Sequence, residues 1–212
     1  MPVTEFALLP IKTGYNKSEF ISKLHECTRV QDQWVRENQP RLLQDKPYSS
    51  LSTCFLEDTN SPCLLITAPW DAPEDHHVWL QSEENKREFA SLAGYAFEES
   101  ESLIVFHMNP AGSEVQLRGD LFAQEGPFSV CKLSVNSSQK ESVQGKYQSI
   151  EAQARVAKPG SRVWAGWRIE RDADDDEELV IFWNQGALDG QLGDLLNTPD
   201  AEHEFHEFQH IE

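Results

Sequence analysis

Positive charge is scarce in this 212-residue chain: 18 Lys and Arg stand against 36 Asp and Glu, a formal net charge of −18. Phosphate backbones and anionic membrane surfaces are held by Lys and Arg, so neither nucleic acid nor a membrane is expected as a partner. The excess acid gathers in runs at Glu98-Glu99, Asp172 to Glu178 and Glu202 to Glu212, which read as solvated loops and a polar tail. Long apolar stretches are also missing, and nothing reaches the roughly 18 residues of a membrane-spanning helix. Met1 to Glu5 has neither a basic region nor a long apolar one, so it is not read as a signal peptide, and a cytoplasmic location is expected. The sequons at Asn16 and Asn136 are then expected to be unmodified. Cys27, Cys54, Cys63 and Cys131 are scattered without metal-type spacing and read as reduced core thiols. The glycines form no phosphate loop, and no GxSxG, HExxH or Cys/His signature is present.

What the chain does have is one order of elements written twice. Thr4 to Ile11 reads as a strand, and Asn16 with Glu19 reads as a capping box opening a helix. Phe20, Leu24, Cys27 and Trp34 give that helix one buried face. Tyr48 to Leu56 and Cys63 to Trp70 read as a hairpin across a polar loop. Asp71 is placed to cap a second helix with Pro73 in its first turn, and Leu103 to Met108 closes the half as a strand. Residues 111–127, with Gly112, Gly119, Gly126 and Pro127, read as a connection that lies against the protein. The scheme then returns. Phe128 to Val135 is a strand, and Ser138 with Glu141 is a second capping box. Val143, Tyr147, Ile150 and Ala154 form a helical stripe. Arg162 to Glu170 and Glu178 to Asn184 make a hairpin, Leu188 to Leu196 a short helix, and Phe205 to Ile211 a last strand. The halves span 1–110 and 128–212, and Trp70 and Trp183 are expected at equivalent places.

A βαββαβ unit folds as a four-stranded antiparallel sheet with both helices on one face, the ferredoxin-like arrangement. Two such sheets packed face to face cover each other and make a barrel-like core, so the expected fold class is α+β, a pseudo-dimer within one chain. In this doubled order, in Trp70-Asp71 at a strand end, in the helix Pro73 to Ser82 and in the strand Val105-Phe106-His107-Met108, the chain resembles the dimeric α+β barrel superfamily. The likeness is to antibiotic-biosynthesis-monooxygenase-like proteins in tandem form, as in fungal proteins tied to secondary metabolism. The resemblance covers nearly the whole chain. It implies a pocket between helices and sheet. The reactions it implies are cofactor-free oxygenation or cyclisation of aromatic or polyketide-like compounds, though haem enzymes share the shape, so fold alone does not select a reaction. No cofactor is expected. The expected partner is a small apolar metabolite, and the chain is expected as a monomeric pseudo-dimer or a homodimer.

Acid–base groups concentrate in the first half. His76 and His77 open a helix, where successive side chains point about 100° apart, so one of them at most faces inward. His77, on the face of Leu80, is the expected choice, and the bland alternative leaves both as surface or half-buried helix residues. His107 shares its strand face with Leu103 and Val105, and is either a hydrogen-bonded core residue or a catalyst. His77 and His107 together would supply a base for an enolate and a donor for an oxyanion. Tyr48, Trp34, Trp70, Trp79, His76 and Asn85 are the expected substrate-binding residues, with Trp34 equally readable as plain core. His203, His206 and His210 tempt a metal reading, but as a strand they read as a polar edge. A haem ligand would have to be His107, and nothing else in the chain supports haem. Under local matches His77 and His107 fall opposite Gly190 and Gln209, so the second half is expected to be mainly structural.

Overall fold

A computed structural model describes residues 1–43, 50–96, 103–113, 116–117, 121–122, 126–157, 162–172, 176–184 and 191–211. The first half consists of β1 (Val3–Pro10), α1 (Lys17–Asn38), β2 (Thr53–Glu57), β3 (Cys63–Trp70), α2 (Pro73–Gln81), α3 (Glu83–Leu92) and β4 (Ile104–Pro110). The second half consists of β5 (Phe128–Val135), α4 (Lys140–Ala157), β6 (Val163–Arg168), β7 (Glu177–Asn184), α5 (Gly193–Leu196) and β8 (Glu202–His210). All strands pair antiparallel in one closed barrel, ordered β1-β3-β2-β8-β5-β7-β6-β4. Each half contributes a ferredoxin-like sheet, β4-β1-β3-β2 and β6-β7-β5-β8. The sheets face each other and also join at their edges, through β2–β8 and β4–β6. Closure leaves no free sheet edge, which is where single ferredoxin-like sheets are open to unwanted pairing.

Most strands read as nearly continuous apolar runs because both of their faces are covered, whereas β8 is polar and largely exposed. Alternate residues point into the barrel, where Phe6, Phe106, Phe128, Trp164, Phe182 and Phe208 make one aromatic core. The others meet helices: Leu9, Leu56 and Leu64 pack on Phe20 and Leu24 of α1, and Cys131, Leu133 and Ile181 pack on Val143 and Tyr147 of α4. Leu117 and Phe122 of the connection join the aromatic core. No helix among the described residues is long and apolar enough to cross a membrane.

Local chemistry explains the helix ends. Asn16 caps α1, its Oδ1 accepting the backbone N–H of Glu19 at 3.3 Å. In the second half the capping box is Asn136 with Gln139 rather than Ser138 with Glu141, because a 3-10 turn over Ser137–Gln139 precedes α4. Asp71 caps nothing; the N-cap of α2 is Ala72, with Pro73 following. The second helix is two helices. Ser82 ends α2 with extended backbone, and its Oγ accepts from the N–H of Asn85 at 3.1 Å to start α3.

The ladders pair Trp70 with Val3 and Trp183 with Ser129. Phe6 pairs with Thr67 in the first half and Phe128 with Asn184 in the second. Trp70 lies three residues after Thr67 and Trp183 one before Asn184. Superposing Phe6 on Phe128 therefore leaves the tryptophans four residues apart (3 + 1).

The β4–β6 seam needs a residue without a side chain. A Cβ at Gly166 would stand 2.6 Å from the Trp164 ring, 2.7 Å from Cβ of Met108 and 3.1 Å from the carbonyl of Asn109. Two of these neighbours are backbone-fixed. Gly166→Ala is expected to destabilise the fold by about 1–3 kcal/mol through overpacking, read as a lower urea midpoint at unchanged slope.

Candidate functional site

The closed register brings four polar side chains together on the helix-facing side of the first sheet. Glu5 in β1 and His107 in β4 are paired across the ladder, so both point away from the barrel interior, towards the helices. In α2, His76 and Trp79 are buried while the residues between them are exposed. Spacing of three puts both on the face that meets the sheet. The ring of His76 lies flat on Trp70 at the end of β3, 4.8 Å between centroids and 18° between planes.

Each group is tied to the next. Trp70 Nε1 donates to Oε2 of Glu5 at 2.8 Å, and His76 Nε2 lies 3.4 Å from the same oxygen. His76 Nδ1 faces His107 Nε2 at 2.9 Å. His107 Nδ1 makes a short hydrogen bond with Oε1 of Glu170, and the backbone N–H of His107 donates to Oε2 at 2.7 Å. Burial pushes the Glu5 carboxyl up to about 7, against the opposing pull of the Trp70 hydrogen bond and of His107. Burial, with the neighbouring His107 and His77, pushes His76 down to about 3, so its imidazole is neutral near pH 7. Burial also raises Glu170, but hydrogen bonds from the side chain and backbone of His107 outweigh it and leave the carboxyl below its usual range.

Glu5 and His76 sit on the wall of a cavity of about 150 Å³ between α1–α3 and the sheet. The remaining wall is mostly apolar, from Ala7, Leu9, Leu24, Ile66, Trp79 and Leu92, with Gln31, Ser52, Cys27, Asn85 and Glu88 adding polar atoms. Leu80, Phe89 and Val105 line it too and are partly exposed, so they rim its mouth. Neither Lys nor Arg is among the described lining residues. Burial pushes the Cys27 thiol up to about 11, so it is no ready nucleophile.

The expected site residues separate accordingly. His107 is buried, but His77 is exposed, with its ring 5.9 Å from that of His107; the phase of α2 turns His76 inward instead. Trp79 and Asn85 line the cavity, and Asn85 also donates its Nδ2 to the carbonyl of Leu80 at 3.2 Å. Trp34 packs behind Trp79 at 5.3 Å, and Trp70 lies behind Glu5 and His76; neither is a lining residue. Tyr48 lies outside the described residues. Glu5 and Glu170 escaped the sequence reading. Glu5 left a signal, a lone charge inside a strand otherwise fit for full burial, whereas Glu170 left none. Glu170 follows β6, so the second half contributes a carboxyl that hydrogen-bonds His107.

A haem does not fit these residues. His107 engages one ring nitrogen with Glu170 and the other with His76, leaving none for iron, and the cavity is too small for a macrocycle. His206 is held by Glu57 and Glu204, and no group of three metal-type ligands occurs among the described residues.

No family model matches the chain, and no curated protein sequence does. Solved structures do resemble it. A candidate monooxygenase of Fusobacterium nucleatum superposes with a TM-score of 0.64 at 10% identity, over 100% of this chain and 93% of that one. A candidate monooxygenase of Lactobacillus acidophilus gives 0.60 at 10%, over 100% and 94%. An anthrone oxidase-like protein gives 0.62 at 13%, over 100% and 92%. Likeness at these identities is likeness of fold, and it agrees with the strand order: the chain is an α+β barrel of the dimeric type, closed within one polypeptide.

Proposed function

We propose that the chain is a cofactor-independent enzyme that removes a proton from carbon in a small, neutral, largely apolar molecule. The observation that carries this is a carboxyl and a neutral imidazole, Glu5 and His76, buried side by side on the wall of an apolar cavity. Glu5 is the base. Held near pH 7 by its burial, it is ionised often enough to accept a proton and basic enough to take one from an activated C–H. His76 is neutral, with one ring nitrogen beside Glu5 and the other on His107, so it stands ready to exchange a proton with the base. Oxygenation, cyclisation and proton-transfer rearrangement all begin with this step, and the fold neighbours described as monooxygenase and oxidase-like are in keeping with it. A lining without Lys or Arg gives an anionic ligand no partner, so the substrate is neutral. We place the reaction in the cytoplasm, in a single chain acting as its own pseudo-dimer.

The size of the cavity narrows the substrate. Drug-sized ligands occupy roughly 300–1,000 Å³, and about 150 Å³ holds a single-ring compound or a short chain rather than a multi-ring polyketide. That smallness is also what favours a second reading, a ligand-binding barrel without chemistry. Incubating the protein in deuterated buffer with a panel of small neutral ketones, lactones and phenols separates the two. The enzyme is expected to exchange carbon-bound hydrogen for deuterium in at least one of them, at a rate that rises as pH passes about 7 and then levels, because Glu5 must be ionised to act. Binding without exchange at any pH would leave the binding protein.

A further inference from the structure

Glu5 and Glu170 stand at the two ends of a single row of close polar contacts, two of them hydrogen bonds, that crosses from the first half to the second. Its links are Glu5 to His76 at 3.4 Å, His76 to His107 at 2.9 Å, and the short bond from His107 to Glu170. One end is dry and the other wet: the side chain of Glu5 is 8% exposed and that of His76 2%, against 39% for Glu170. The wet end is well fixed. The carbonyl of His107 accepts from the N–H of Ile169 at 2.9 Å, and the carbonyl of Glu170 accepts from Nε of Arg168 at 2.7 Å.

We propose that this row is a proton conduit between the cavity and solvent, and that Glu170 is its outer terminus, a relay residue supplied by the second half. The proposal rests on the reading of Glu5 as the base. A base that has taken a proton from a bound molecule must shed it before the next turnover. With the cavity filled, its apolar rim of Leu80, Phe89 and Val105 offers a proton no path. The row does. The O–H bond of Glu5 breaks as Nε2–H forms on His76. Nδ1–H of His76 breaks as Nε2–H forms on His107. Nδ1–H of His107 breaks as O–H forms on Glu170, which passes the proton to water. Until Glu170 releases its proton each link holds one, so no intermediate charge has to be buried, and both rings must return to Nδ1–H before the next transfer. The persistent neutrality of His76 suits this role, since a ring already charged could not accept.

Both rings leave the transfer in the other tautomer, so their tautomers must be locked together. The groups facing the row from its surroundings do not substitute for a member. Trp70 only donates, Cys54 is pushed up to about 12 by burial, and His77 faces His107 from the side at 5.9 Å between rings.

The test is a pH titration of the intact chain carrying ¹⁵N-histidine and ¹³C-glutamate, followed by NMR. In the wild type, His76 and His107 are expected to move together from Nδ1–H to Nε2–H over the interval in which Glu5 ionises, and Glu5→Gln is expected to abolish the movement in both rings. Glu170→Ala, at a partly exposed position outside the strands, is expected to lower the Nδ1–H to Nε2–H ratio about tenfold on His76, which Glu170 does not touch, because a charge-assisted hydrogen bond has been lost two links away. Separate midpoints for the two rings, or a His76 tautomer indifferent to Glu170→Ala, would overturn the conduit. Turnover is not measured in either arm, so the outcome is independent of whether Glu5 proves to be the base.

Discussion

Replacing Glu5 by Gln is expected to abolish most of the activity and, at the same time, to strengthen the fold. Loss of a positioned base costs about 10²–10⁴-fold in rate. Gln has the same shape and keeps an oxygen to accept from Nε1 of Trp70. The gain in stability follows from linkage. The carboxyl ionises near 4.5 in the unfolded chain and near 7 in the folded one. Below the lower value both states hold the proton and the carboxyl costs nothing. As pH rises towards 7 the unfolded chain releases its proton first, and the wild type loses stability; above 7 the loss is complete. At 1.36 kcal/mol per pKa unit, the deficit at pH 8 is about 3 kcal/mol. Urea unfolding of both proteins at pH 4 and pH 8 reads this directly. The variant should gain on the wild type only at the higher pH. A difference that does not change with pH would mean that Glu5 ionises freely in the folded protein, and the argument for it as a tuned base would fail. Stability given up at one residue and recovered when that residue is removed is a mark of a functional position.

Phe182→Ala is expected to cost about 3–5 kcal/mol, the usual range for emptying an aromatic site in a tightly packed interior. Phe182 is fully buried, and its ring meets those of Phe6 at 6.3 Å, Trp164 at 5.6 Å, Phe122 at 6.0 Å and Phe128 at 6.4 Å. Phe6 belongs to the first half and Phe128 and Trp164 to the second, so the cavity opens between the two sheets and neither half can collapse to fill it alone. The halves should therefore lose stability together, in one transition at lower urea with the slope unchanged. Two separated transitions, or a shift within the roughly 0.5 kcal/mol typical of surface positions, would show that the aromatic cluster does not hold the halves together.

Where the sequence misled, the error lay in phase and register. His76 and His77 are adjacent, so which of them faces inward goes with which of Trp79 and Leu80 does. Leu80 looks like the inward residue of that turn, but it is exposed while Trp79 is buried, so the inward face carries His76 and Trp79. Identical words at strand ends say nothing about which residues lie opposite them: Trp70 pairs with Val3 and Trp183 with Ser129. Glu5 was legible in principle, since a carboxylate inside a strand buried on both faces needs a reason to be there.

The sequence by itself determined the elements, their order and the doubled ferredoxin-like plan, because apolar periodicity, prolines and caps are local and act within a few residues. It also drew attention to the histidines of the first half, although it chose His77 where the structure buries His76. Only the tertiary structure decided what those histidines touch. Glu5 meets His107 through the β1–β4 register. Glu170 meets His107 because barrel closure pairs β4 with β6, setting Met108 beside Arg168. Such contacts join residues as much as 102 positions apart (107 − 5). They depend on strand register, and a slip of one residue turns every side chain to the opposite face. A pattern repeating every two residues cannot tell one register from the next of equal parity; the packing of the two halves against each other can.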